Sequence, residues 1–312
     1  MKRRPRILAI SCAVASCYLA HISLRYSREG PVQLRRWLTV TQFTQIYDKL
    51  QRIITECDGA HNKKFCTPET LRLLCMERAS AEALTPTINY TDSFTPWLTL
   101  GRLTWTANDY NDFITWYIFF SGSVVSDVGR RSGQHFYFES GASNGIHASQ
   151  TYTFGEQLSW KGLITEVSNC GPCQATINHP SARFLHTGIC KTRGEIPFDP
   201  QNQRTFCPLQ IPCEYADFDR VQCQPLRDIF HREGVDWVDF LSLDMEEATP
   251  DAWHSVDHVR TNVRVAVVES WPEMHIDAEK FDFVIKGGDY FIWRKDSFEL
   301  ATSPCLEMLS HE

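Results

Sequence analysis

Five short apolar runs in the second half of the chain constrain its fold more than any other feature. They are "HFYFES" (135–140), "GLITEV" (162–167), "RFLHTGI" (183–189), "DFLSLDM" (239–245) and "RVAVVES" (264–270). Their apolar content predicts parallel strands buried on both sides. Helical patterning fills most of the gaps, as in "ASQTYTFGEQLSW" and "QPLRDIFHREG", the second closed by Gly234 as a C-cap. Strand alternating with helix predicts an α/β sheet with right-handed crossovers. Two later runs, "FDFVIK" and "DYFIWRK", are joined by Gly287-Gly288 and predict an antiparallel hairpin. The expected fold is α/β: a doubly wound, mostly parallel seven-stranded sheet with an antiparallel last strand. An insertion rich in Pro, Gln and Cys, Lys191 to Gln222, sits on top of this plan.

The 312 residues are 43% apolar and 12% aromatic, enough to bury a full core. Net charge is −7 and dispersed, with no basic block after the first few residues, so no nucleic-acid partner is expected. "MKRRPR" followed by Ile7 to Ile22, which hold no Asp, Glu, Lys or Arg, reads as a targeting segment. Cleavage after Ala13-Val14-Ala15 would leave too short an apolar region, Ile7 to Cys12, so residues 1–24 are expected to be a cytoplasmic tip and signal anchor. With Lys2, Arg3, Arg4 and Arg6 cytoplasmic, the rest becomes the luminal part of a type II, single-pass protein of the secretory pathway, in Golgi or ER. A cleaved signal would instead give a secreted protein.

An oxidising lumen suits the ten cysteines downstream: Cys57, Cys66, Cys75, Cys170, Cys173, Cys190, Cys207, Cys213, Cys223 and Cys305. They predict a disulfide framework whose connectivity the spacing leaves open. The sequon Asn89-Tyr90-Thr91 predicts a glycosylated surface loop. Residues 25–95 read as a luminal helical stem: "LRRWLTVTQFTQIYDKLQRIITE" (34–56) is amphipathic, and Ser80 to Trp97 has linker composition. The main domain is expected over 96–312.

Candidate chemistry gathers at the ends of the strands. The first runs into "ESGASNG", where Glu139 precedes Gly141, Ala142 and Gly145. Small residues there permit a tight strand-to-helix turn and close approach to a ligand. The loop lacks the glycines of a dinucleotide fingerprint, and its carboxylate suits a cationic ligand better than a pyrophosphate. Glu166 closes the second strand 21 positions after Gly145, near the separation at which an acid accepts ribose hydroxyls. The bland alternative is an ordinary turn with solvated glutamates. "DFLSLDMEEA" puts Asp244, Glu246 and Glu247 at another strand end, as a source of a general base or metal ligand, or as an exposed acidic loop. His147 and His179 are candidate bases, more commonly buried hydrogen-bonders. Trp271-Pro272 and Glu269 lie where an acceptor site could form. "CGPC" (170–173) matches a thioredoxin-type redox motif. Such a site needs a helix after the second cysteine, and Pro180 with "ATINHP" argues against one. Cys170 and Cys173 are expected to be oxidised, bridged to Cys190 or another luminal cysteine.

These residues fall in an order that resembles the FkbM-type S-adenosylmethionine-dependent methyltransferase domain, whose pattern is E-x-G-A-x-x-G, S-N-T, then W-x-G-x-x-x-E. Here the elements are Glu139, Gly141, Ala142 and Gly145; Ser149 and Thr151; and Trp160, Gly162 and Glu166. "NDF" (111–113), "NHP" (178–180), "CQPL" (223–226), "DFLSLDMEEA" and "DYFIWRKDS" agree with later and flanking elements, so the match spans about residues 105–300. The resemblance implies a Rossmann-like methyltransferase sheet, with S-adenosyl-L-methionine as cofactor, held by Glu139, Gly141, Ala142, Gly145, Ser149 and Glu166. It implies transfer to a hydroxyl acceptor beside Asp244 and Glu246. The compartment suggests a glycan or secreted small molecule as acceptor, and no metal site is assigned. Asn144 replaces the family's Asp, Gln150 its Asn and Glu247 its Gly. The first two keep polarity. Glu247 supports binding more than turnover, which keeps a non-catalytic binding or trafficking protein as the alternative.

Overall fold

The computed structural model describes residues 38–59, 87–91, 95–100, 103–107, 110–120, 135–143, 145–146, 148–167, 177–199, 204–205 and 219–295. Helix α1 (Val40–Gly59) precedes an antiparallel sheet of β1 (Thr87–Thr91), β2 (Thr95–Leu100) and β3 (Leu103–Trp105). Helix α2 (Asn111–Thr115) runs into a π-helical turn, Trp116–Phe120. The central part holds β4 (Phe136–Ser140), a second π-helical turn (Thr153–Gln157), β5 (Lys161–Glu166) and β6 (Ala182–His186). There follow β7 (Gly188–Ile189), β8 (Gly194–Asp199), β9 (Arg204–Thr205), β10 (Asp219–Gln224) and α3 (Leu226–Glu233). The chain continues through β11 (Trp237–Leu243), a 3-10 turn (Glu246–Ala248), α4 (Thr249–His254), β12 (Asn262–Glu269), β13 (Phe281–Lys286) and β14 (Asp289–Arg294).

Seven strands form the main sheet in the order β13-β14-β12-β11-β4-β5-β6. The pairs from β12 to β6 are parallel, while β14 is antiparallel to both its neighbours. This is the α/β architecture expected from the apolar runs, with the last strand reversed.

Alternation along the strands sends successive residues to opposite faces. Tyr137, Ile164, Phe240, Val265, Val267, Phe291 and Trp293 join one core. Phe138, Leu163, Leu241, Ala266, Val268 and Ile292 join the other, which α3 and α4 cover through Ile229, Phe230, Ala252 and Trp253. Gly234 caps α3 in the left-handed region (φ 68°), as expected.

The first face needs a helix that the crossovers do not supply, and α1 provides it. Phe43 is fully buried, stacks on Trp293 at 4.9 Å and packs tilted against Phe291 at 5.3 Å, while Ile46 and Leu50 extend the same stripe. Lys286 Nζ meets Asp48 at 2.6 Å at the rim. The helix expected within a stem is thus a layer of the main domain. The expected division near residue 95 also falls inside the β1–β2 hairpin, where a linker was expected. Asn89 lies on β1 opposite Trp97, not in a loop.

Two further expectations change. The helix expected over 148–160 shrinks to the π-helical turn, because Ser149 and Thr151 spend their side chains on Glu139. Gly155 fits that turn because a Cβ would come within 2.5 Å of the Tyr137 hydroxyl. The insertion forms its own sheet, β7-β10-β8-β9, and the Cys190–Cys223 disulfide closes its base. Cys190 is therefore not the partner of Cys170 or Cys173, which lie outside the described residues. No described helix is long and apolar enough to cross a membrane, and the expected anchor, 1–24, also lies outside them.

Phe43→Ala should lower stability by about 3–5 kcal/mol, the cost of emptying a buried aromatic site. Urea denaturation followed by tryptophan fluorescence checks this; a loss below about 1 kcal/mol would make α1 an independent stem.

Candidate functional site

The chain builds the sheet outward from β4 through β5 to β6, then returns to β11 on the other side of β4. That reversal leaves a crevice at the carboxyl ends of β4 and β11, where open α/β sheets take ligands. Three strand ends are laced together there. Gly141 N–H donates to Thr165 O at 3.4 Å, and Asp244 N–H donates to Ser140 O at 3.1 Å. Gly141 has φ 90°, and a Cβ on it would sit 1.8 Å from the Asp244 carbonyl oxygen, so no other residue fits.

The resulting cavity, about 170 Å³, is lined by Gly141, Ser143, Ala148, Glu166, Asp244 and Glu246 among others. Ser143 (φ 50°), Ala148 (φ 60°) and Glu246 (φ 54°) are all left-handed. Each such residue costs roughly 1–2 kcal/mol, and this kind of strain concentrates at functional sites. Glu247, in contrast, lies in the 3-10 turn with no positive φ and does not line the cavity. The left-handed residue of this turn is Glu246, one position before Glu247.

Of the residues expected to hold a cofactor, Gly141 and Glu166 line the cavity, as do the expected catalytic pair Asp244 and Glu246. Glu166 is 8% exposed; its Oε2 accepts the Ser143 N–H at 2.9 Å and its Oε1 the Val167 N–H at 2.7 Å. Glu139 lies behind the cavity. Its Oε2 accepts from Ser149 Oγ (2.8 Å) and Thr151 Oγ1 (2.6 Å), and its Oε1 from Gln150 N–H (2.7 Å). Burial raises its pKa despite these donors. Glu139 and Ser149 thus shape the loop. Ala142 is buried in the core, and its carbonyl accepts the Gly145 N–H at 2.8 Å, closing the turn. Asn144 and His147 lie outside the described residues.

His179 does not line the cavity. It is buried against Tyr137 and Glu156, each 3.2 Å from its Nδ1, and burial lowers its pKa to about 4, so it is neutral at physiological pH. Trp271 is also absent from the lining.

Carboxylates accumulate on the β12 side. Burial, then Glu269, Asp289, Glu246 and Glu139, raise Asp244 to about 8. Thr249 Oγ1 accepts the Met245 N–H at 2.9 Å and reaches Glu269 at 3.4 Å, tying that acid to the cavity floor. Asp289 faces Glu269 directly across the β12–β14 pair. Like charges so placed are unfavourable without a cation or a proton. Asn111 Nδ2 donates to Asp289, and Asp112, raised to about 7 by burial, accepts the Thr106, Ala107 and Phe113 N–H groups. Thr106 Oγ1 donates to Ser149 O at 2.9 Å, binding this segment to the site.

Asp289 and Asn111 were not among the expected site residues. The Gly287-Gly288 turn held the signal for Asp289, since a two-residue hairpin fixes its register. Asn111 lies within "NDF", part of the resemblance. Among the described residues no three His, Cys, Asp or Glu side chains share a metal-binding geometry. Chemically, the site offers attraction for a cation and a carboxyl group, Asp244, that exchanges its proton near neutral pH. No family model, curated protein or solved structure matches this chain.

Asp244 has its folded pKa above its unfolded value, so protonation favours the fold, and its contribution is lost as pH rises from about 4 through about 8. Asp244→Asn should therefore raise Tm at pH 8.5 and change it little at pH 5, as differential scanning calorimetry would show. Equal shifts at both pH values would contradict an ionisation-linked cost.

Proposed function

We propose that this chain is a luminal S-adenosylmethionine-dependent O-methyltransferase acting on a hydroxyl acceptor, either a glycan or a secreted small molecule. The observation that carries the reading is the acidic cavity at the chain reversal between β4 and β11, with Glu166 and Gly141 on its walls. A sheet of seven strands whose last strand alone runs against the rest agrees with the same reading.

The residues present fit the cofactor. Glu166 ends the second strand, where a carboxylate accepts hydrogen bonds from ribose hydroxyls. Gly141 lets the backbone approach a ligand closely, and the carboxylates around Asp244 favour a positively charged group. When bound, S-adenosylmethionine supplies a methyl group activated by a sulfonium.

The chain's contribution is positioning and proton handling. The laced ends of β4, β5 and β11 hold the cavity walls rigid, so bound partners meet in a fixed geometry. Asp244 takes the proton of the acceptor hydroxyl; with a pKa of about 8 it is matched to that task near neutral pH. Glu247 does not line the cavity.

Isothermal calorimetry of the purified protein with S-adenosylmethionine and S-adenosylhomocysteine tests the reading. Both should bind, and Glu166→Gln should weaken binding about tenfold, the loss of a charge-assisted hydrogen bond. No binding at millimolar ligand would end it. With a methylated acceptor in hand from a hydroxyl panel, kcat/KM should rise with pH to a plateau above about 8, and Asp244→Asn should cost about 10²–10⁴-fold in kcat. Binding without transfer to any acceptor would favour the non-catalytic alternative.

A further inference from the structure

The strand β13 closes one side of the main sheet, and among the described residues it pairs only with β14. Lys286 and Asp289 flank the Gly287-Gly288 turn, so their backbone groups face each other. The period of two then commits Asp282 and Val284 to β14 as well, and Lys280 O accepts the Lys295 N–H at 3.2 Å in the same phase. Phe283 and Ile285 therefore direct their N–H and C=O groups outward, while the Phe281 N–H is taken by Asp277 O at 2.9 Å. Phe283 and Ile285 are also the exposed apolar side chains of this strand, at 37% and 50%.

We propose that β13 is a homodimer interface: two copies of the chain pair their β13 strands antiparallel about a two-fold axis at Val284. The sequence Phe281–Lys286 is complementary to itself in this register alone. Phe283 lies opposite the partner's Ile285, and both residues have outward backbone groups, so the pair exchanges two hydrogen bonds, twice over by symmetry. On the other face Asp282 lies opposite the partner's Lys286, also twice, at non-hydrogen-bonded positions where side chains come closest. Val284 meets the partner's Val284 on the axis. Moving the axis to Phe283 sets Lys286 against the partner's Lys280, and moving it to Ile285 leaves Asp282 opposite the partner's Gly288. Charged residues on an edge strand commonly block pairing, but here their spacing matches one register. Lys286 already bridges to Asp48 at 2.6 Å, which fixes its head group near the rim where the partner's Asp282 arrives. Pairing would extend the main sheet continuously through both copies and leave the cavity at β4 and β11 open in each.

Sedimentation velocity of the full-length chain in detergent, from about 1 to 100 µM, should show a dimer. Ile285→Pro removes only an outward N–H, so it should spare the β13–β14 pair and weaken dimerisation more than tenfold. Asp282→Lys should do the same by opposing two lysines, and adding Lys286→Asp to it should restore the dimer. Far-UV circular dichroism confirms that each variant is folded; if Ile285→Pro is not, the charge exchange decides. A wild-type monomer across the range, or a dimer indifferent to Asp282→Lys and its compensation, would overturn the proposal.

Discussion

Everything at the carboxyl edge of this sheet depends on one buried carboxylate. Glu139 is the last residue but one of β4, around which the chain reverses, and its two oxygens collect the Ser149 hydroxyl, the Gln150 amide and the Thr151 hydroxyl. Burial raises its pKa, so three donors are needed to keep an acid there at all. Those three bonds pull the 149–151 segment against β4 and shorten the helix that would otherwise start there. From that loop the contacts spread outward: Ser143 to Glu166 on one side, Ser149 to Thr106 and the Asp112 turn on the other.

The same economy explains the electrostatics. A sheet with Glu139, Glu166, Asp244 and Glu269 at or beside the ends of its strands, and Asp289 opposite the last, concentrates negative charge at one edge. Backbone amides satisfy Glu166, and hydroxyls and an amide satisfy Glu139. Asp244 is buried and faces the remaining acids, and burial first, then their repulsion, pushes it up to about 8. A protein that holds such a cluster either keeps a proton there or offers it to a cation, and the proposed function draws on both.

The strands were legible because a strand buried on both faces must be apolar almost throughout, and that pattern survives in the letters from Phe136 to Glu269. Glu166, Gly141 and Asp244 were legible for a related reason, since polar or small residues that end such runs fall at the sheet's edge. What escaped depended on distance in sequence. Nothing local says that Phe43 stacks on Trp293, so α1 read as a stem. "TINYT" and "TPWLTL" have strand-forming Thr, Ile, Tyr and Trp, but their Pro and Ser neighbours suggested a linker. The role of Glu139 also changed, because its donors come 10 to 12 positions later and show their direction only in three dimensions.

The central claim is that this acidic edge is tuned to receive a cation, with Asp244 protonated in the free protein near neutral pH. Calorimetric titration with S-adenosylmethionine at pH 7.5, in buffers of different ionisation enthalpy, measures this directly. A bound positive charge should lower the pKa of Asp244, so the observed heat should vary with buffer by about half a proton released or more, and that dependence should vanish in Asp244→Asn. Binding whose heat is the same in every buffer, or no binding at all, would contradict the account.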